Sequence, residues 1–239
     1  MTVRPTRATR AVLALAAAAA LSVTAGCGAE PLQSDVHPGA AAVIDGESIS
    51  IGDVDDLTER YCDFAAAQLR SQGQQVPMSL VRNASLNLLV QRQIAEDYAA
   101  AHDLDLAPAR RLMEQQADQQ ADQQQVPEKD RAIFNQVQLQ LDASIVYLAA
   151  GGADAFATGQ MPSQDALNAG YALVTDWAKE LKVSYDPRFS DIAAEKYDVN
   201  TTTLSSPASE LAKLSAAFDP NQQAEAAYLD SLPTDQKCG

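Results

Sequence analysis

Cysteine and histidine offer the most chemistry here, and the chain has three of the first and two of the second. A nucleophilic Cys62 would need a histidine to take its proton. His37 stands beside Pro38 in a stretch without periodicity. His102 closes a helical pattern, where a partly cationic imidazole suits the negative end of the helix dipole. Two histidines so placed, without ligand-like spacing of acids or cysteines around them, do not compose a metal site. No serine sits in a G-x-S-x-G elbow, and no glycine-rich loop could cradle phosphate. The 32 acidic residues are scattered rather than paired and read as a solvated face. The chain thus has no candidate catalytic residue, no metal site and no cofactor, and it is read as non-enzymatic. Trp177 is either a core residue or a ligand platform.

Cys27 has a different chemistry in prospect. Before it, Arg4, Arg7 and Arg10 make a positive opening without an acid. Ala11 to Val23 then form an apolar run of mostly Ala and Leu. It falls short of the roughly 20 residues a membrane span needs and suits the core of a signal peptide. Thr24-Ala25-Gly26 lead into Cys27. This arrangement resembles the bacterial lipobox, with Thr24 where leucine is usual. The resemblance implies cleavage after Gly26 and a thioether-linked diacylglycerol on Cys27. It also implies residence on the extracytoplasmic face of a bacterial cell membrane. An ordinary secretory signal with an incidental cysteine is the other reading. Each buried methylene contributes about 0.8 kcal/mol, so two or more acyl chains anchor stably where one is marginal.

Residues 1–26 are set aside as signal peptide. They hold three arginines and no acid, so the remainder is more acidic than the whole chain at −15. Such a surface repels nucleic acid and anionic headgroups. Nucleic-acid binding is excluded, and the lipid alone is expected to hold the protein at the membrane. Aromatics make up only 5% of residues while Ala and Gln abound, a balance that favours helix. Cys62 and Cys238 remain as an even pair in an oxidising compartment, either joined or left as a buried thiol and a free one near the end. A bond would close a long loop, for which chain entropy gives about 5 kcal/mol.

Residues 27–41, which carry Gly, Pro and Ser without periodicity, read as a flexible tether. Ala42-Val43-Ile44, the turn Asp45-Gly46, and Ile49 and Ile51 alternating with Ser48 and Ser50 read as a two-stranded hairpin. Ser50 and Asp53 can cap a helix whose stripe is Val54, Leu57, Tyr61 and Phe64 and which ends at Gly73. A second helix runs from Pro77 to about His102. Val81, Ala84, Leu88, Ala95 and Tyr98 mark one side, and Leu86, Leu89 and Val90 the other, so it is the expected central helix. A third begins near Pro108 and passes into a Gln/Asp/Ala stretch expected to be a solvated helix or frayed arm. A fourth runs from Pro127 through Phe134, Val137, Leu141, Ile145 and Leu148 and stops at Gly151-Gly152. The last long helix follows Met161-Pro162-Ser163 and turns Leu167, Val174, Trp177, Ala178 and Leu181 to one face. Val183 to Phe189 reads as extended chain with a turn. Residues 190–239 read as an irregular tail, with a weak helix over Ala208 to Phe218.

Three of these stretches together resemble the peptide-binding domain of the SurA and PrsA foldase families. They are the hairpin and helix start from Ala42 to Asp55, the step from Ile94 through Pro108, and Val183-Ser184-Tyr185-Asp186-Pro187-Arg188-Phe189. The likeness covers residues 42–189. It implies a mostly α fold with a small N-terminal β-hairpin joined by a late C-terminal strand. The families' parvulin isomerase domain has no room here, since Gly151 to Pro162 holds only a loop, and its paired histidines are missing. The implied function is non-catalytic and chaperone-like, with unfolded or extended exported polypeptides as partners. A structural lipoprotein with one dedicated envelope partner is the alternative.

Overall fold

Asp45 and Gly46 both adopt positive φ, 47° and 95°, the backbone a tight two-residue hairpin turn requires. They join β1 (Ala40–Ile44) to β2 (Glu47–Ser50), paired antiparallel with Ile44 opposite Glu47. The computed structural model describes residues 38–157, 163–189 and 226–239, together with Ser209, Lys213 and Leu214. All of them fall within one unit, residues 35–239. The lipobox with Cys27, the tether up to His37, and most of the stretch expected as a weak helix lie outside the described residues.

Ile51, expected to continue β2, instead begins the first helix. Ser50 and Asp53 form a reciprocal capping box there, each side chain meeting the other's backbone N–H. The helices are α1 (Ile51–Ser71), α2 (Met78–Ala101), α3 (Ala107–Gln123), α4 (Arg131–Val137), α5 (Leu141–Ala157) and α6 (Gln164–Ala178). After α6 come β4 (Val183–Tyr185) and a 3-10 turn over Pro187–Phe189. A seventh helix, α7 (Ala226–Ser231), precedes a 3-10 turn at Thr234–Gln236 and β5 (Lys237–Cys238). The protein is thus mostly helical, with a small N-terminal hairpin and a late strand. That strand, β4, pairs antiparallel with β1 to make a three-stranded sheet in the order β2-β1-β4. Asp45 fastens the join, its backbone donating to the Lys182 carbonyl at 3.0 Å and its carboxylate accepting from the Lys182 N–H at 2.8 Å. Two-residue β3 (Val76–Pro77) pairs with β5.

The main core collects Ile44 from the sheet, Val54 from α1, Leu86, Val90 and Ala95 from α2, Val146 from α5 and Val174 from α6. α2 packs against α1, α5, α6 and β1 and is the central helix. Val81, Ala95 and Tyr98 on one side and Leu86 and Val90 on the other are buried, whereas Leu88 and Leu89 are half-buried and Ala84 is exposed.

Two expectations need correction. The Gln/Asp/Ala stretch is neither frayed nor wholly solvated. Ala109, Ala117 and Ala121 are buried, Met113 packs against Ile145 and Ala149, and α3 lies along α5. Alanine is small enough that a helix docks closely on it without a larger stripe. The expected fourth helix is two helices. α4 sets Phe134 edge-on to Phe64 of α1, with centroids 6.4 Å apart, whereas Ile145 of α5 turns to α3. The chain re-aims between them at Gln140, which has φ 45°. Nor does the helix stop at Gly151-Gly152. It bends there, with Gly152 non-helical, and continues to Ala157.

Candidate functional site

The described residues enclose a cleft of about 580 Å³ beside the N-terminus of α2. Met78, Ser79, Arg82 and Asn83 supply one wall, on a single face of the helix. Arg188 and Phe189, from the turn after β4, supply a second. Tyr228 of α7 and Leu232 just beyond it, with Asp235 and Gln236 of the following turn, supply the third, and Ser209 also lines the cleft.

The walls are held by their own chemistry. Phe189 is 2% exposed and belongs to the main core. The Arg82 guanidinium stands 5.5 Å from its ring centroid, a cation–π arrangement, and pairs with Asp55 of α1. Arg188 is folded back onto Asp186, donating from Nε at 2.8 Å, from Nη2 at 2.9 Å and from its backbone N–H at 2.9 Å. The Arg188 side-chain hydrogen bond, ahead of other causes, lowers the Asp186 carboxyl to about 2. The Asp186 N–H donates to the Ala41 carbonyl at 2.9 Å, so this turn is set by the sheet.

Two features leave hydrogen-bond donors over. Arg82 Nε is buried with no acceptor among the described residues. The first turn of α2 follows Pro77, which supplies no side-chain cap, and contains no acid. Beside these donors lie the apolar surfaces of Met78, Phe189, Tyr228 and Leu232. The described lining contains neither histidine nor cysteine. Such a cleft can cover apolar side chains and donate to carbonyl groups.

Cys62 and Cys238 are joined by a disulfide, with Cα atoms 5.5 Å apart. It lies next to the β3–β5 pair, which leads directly into the cleft wall at Met78. Residues 226–239 are therefore built into the unit as helix, turn and strand, not an irregular tail. His102 lies at the opposite end of α2, about 35 Å along the helix axis. It is exposed and stacks on Tyr98 with centroids 4.2 Å apart. Trp177 is half-buried, edge-on to Tyr98 at 5.6 Å, and packs on the main core. Among the described residues no group of His, Cys, Asp and Glu could hold a metal, and no helix is long and apolar enough to cross a membrane.

Sequence reasoning did not single out Met78, Arg82, Tyr228 or Leu232. No known family, curated protein or solved structure matches the chain.

Proposed function

We propose that this protein is a non-catalytic, chaperone-like lipoprotein that binds unfolded or extended segments of exported proteins. Lipid on Cys27 would hold it at the extracytoplasmic face of a bacterial cell membrane. The cleft beside α2 carries the reading, because its lining joins apolar surface to unspent hydrogen-bond donors. An extended polypeptide offers side chains and carbonyls in alternation, whatever its sequence. Recognition of this kind is broad, since it reads the backbone and apolar bulk. A volume of about 580 Å³ accepts a few side chains at a time. The likeness of the hairpin, the α2–α3 step and the closing strand to the SurA and PrsA families supports the same reading.

The purified chain, added to an aggregating client, is expected to suppress aggregation and to bind a permanently unfolded polypeptide. Met78→Glu, at the cleft wall, is expected to weaken both. Absence of suppression together with absence of binding would sink the proposal. Crosslinking in intact cells separates it from the alternative: many clients support it, and one stoichiometric partner points to a dedicated assembly lipoprotein.

A further inference from the structure

We infer that oxidation assembles this cleft: the Cys62–Cys238 bond holds the wall formed by residues 226–239, and a chain with both thiols reduced lacks that wall. The inference rests on the cleft being the binding site proposed above.

The wall's own secondary structure is slight among the described residues. α7 has six residues, too few for a helix to persist unaided. The β3–β5 pairing spans two residues a side, Val76 with Cys238 and Pro77 with Lys237. Pro77 has no N–H to give to the ladder. Such a pair is not stable by itself. Tyr228 and Leu232, 5% and 9% exposed, seat the wall through their side chains, and the bond is the covalent tie that keeps them seated.

The bond supplies what is missing. It ties β5 to α1, a helix of 21 residues capped at its start. Its position is at the base of the cleft, because β3 runs straight into the first turn of α2. Asp235 and Gln236 are held within a few residues of Cys238, so fixing that residue fixes their side of the opening. Gly239 then lies so close to the α1–β3 connection that a Cβ there would meet the Gln74 carbonyl oxygen at 2.6 Å.

Opening the bond takes a dithiol reductant. One of its thiolates attacks a cysteine sulfur, and its second thiol resolves the mixed disulfide. The protein gains two electrons and two protons as two thiols, and the reductant leaves as its own disulfide. Cys62 is half-buried whereas Cys238 is 1% exposed, so Cys62 is the accessible sulfur. The binding-competent form then belongs to oxidising surroundings.

Hydrogen exchange on the full chain tests the latch, and binding of reduced, carboxymethylated α-lactalbumin tests its consequence. The oxidised protein is compared with itself after dithiothreitol and after re-oxidation, and with Cys62→Ser/Cys238→Ser. Opening the bond is expected to cost amides in 226–239 about tenfold or more in protection while α2 keeps its own. Binding is expected to weaken about tenfold and to return on re-oxidation. Tyr228→Ser/Leu232→Ser, which strips the wall of its apolar side chains with the bond intact, is expected to weaken binding likewise. Should the cysteine variant lose its helical circular dichroism, the reversible reduction of the wild type decides. Unchanged protection, or undiminished binding by the reduced chain, overturns the inference. Oxidised protein that never binds, yet loses protection in 226–239 on reduction, sinks the proposed function and leaves the redox-held wall standing.

Discussion

Asp186 links the sheet to the cleft through one side chain and one backbone N–H. Its N–H fixes the chain to Ala41 while its carboxylate gathers three donors from Arg188. Phe189 follows at once and becomes cleft wall. The folded carboxyl titrates at about 2, against roughly 3.9 for an unperturbed aspartate. Between those values the unfolded chain binds more protons than the folded one. The contribution of Asp186 is therefore full above about pH 4 and is lost as pH falls through about 2. Asp186→Asn is expected to lower stability above about pH 5 and to converge on the wild type near pH 2. Urea unfolding across that range checks it. A difference that does not change with pH would mean that the carboxylate charge is not what matters. Ser50 and Asp53 are the other local device, and they set where the hairpin yields to α1.

At the scale of elements, the α5–α6 crossing depends on two glycines rather than on large side chains. A Cβ at Gly170 would overlap the Tyr147 carbonyl group and stand 3.0 Å from the Gly151 N. A Cβ at Gly151 would overlap the Ala166 carbonyl oxygen and stand 2.6 Å from the Gly170 N. Every obstructing atom is backbone, so nothing can rotate aside. Gly170→Ala should destabilise by about 1–3 kcal/mol through overpacking, despite alanine's better helix propensity. Gly52→Ala is the matched control, since its Cβ would meet only Ser50 Oγ at an ordinary 3.6 Å. It should be neutral or stabilise by up to about 1 kcal/mol. Thermal unfolding of the pair measures the contrast, and equal effects would remove the close crossing. α3 uses small residues for the same end, and Arg131 adds a clip by pairing with Asp118, Asp122 and Glu128. Those pairs are at the surface and contribute little individually.

At the largest scale of the described residues, α2 is packed on by α1, α5, α6 and the sheet, and the disulfide-held segment meets its N-terminal end. Closing a loop of 176 residues is worth about 5 kcal/mol by chain entropy, a large share of a domain's usual stability. A formal charge of −15 disfavours anionic headgroups, and in the proposed reading lipid on Cys27 supplies the membrane anchor. Cys27→Ala is accordingly expected to release the protein from the membrane fraction or leave an unprocessed precursor. Fractionation and intact mass check this, and a variant that matures and fractionates like the wild type would refute the lipid anchor.

What the sequence determined by itself is short in range. Asp45-Gly46 dictated the hairpin, Ser50 and Asp53 the start of α1, Gly73 its end, and Ser163 the start of α6, because each works through backbone geometry within a few residues. The hydrophobic stripe of α2 announced a central helix, and the parity of two cysteines made their bond one of two readings. Only the tertiary structure decided which surfaces meet. The Gln/Asp/Ala stretch docks because α3 lies along α5 and neighbouring chain, burying Ala117 and Ala121. Gly151 reads as a helix stop until Gly170 is seen against it. The cleft is lined from residues 78–83, 188–189, Ser209 and 228–236, which are far apart in the chain. Their meeting depends on sheet pairing and on a covalent bond, and no local pattern of side chains encodes it.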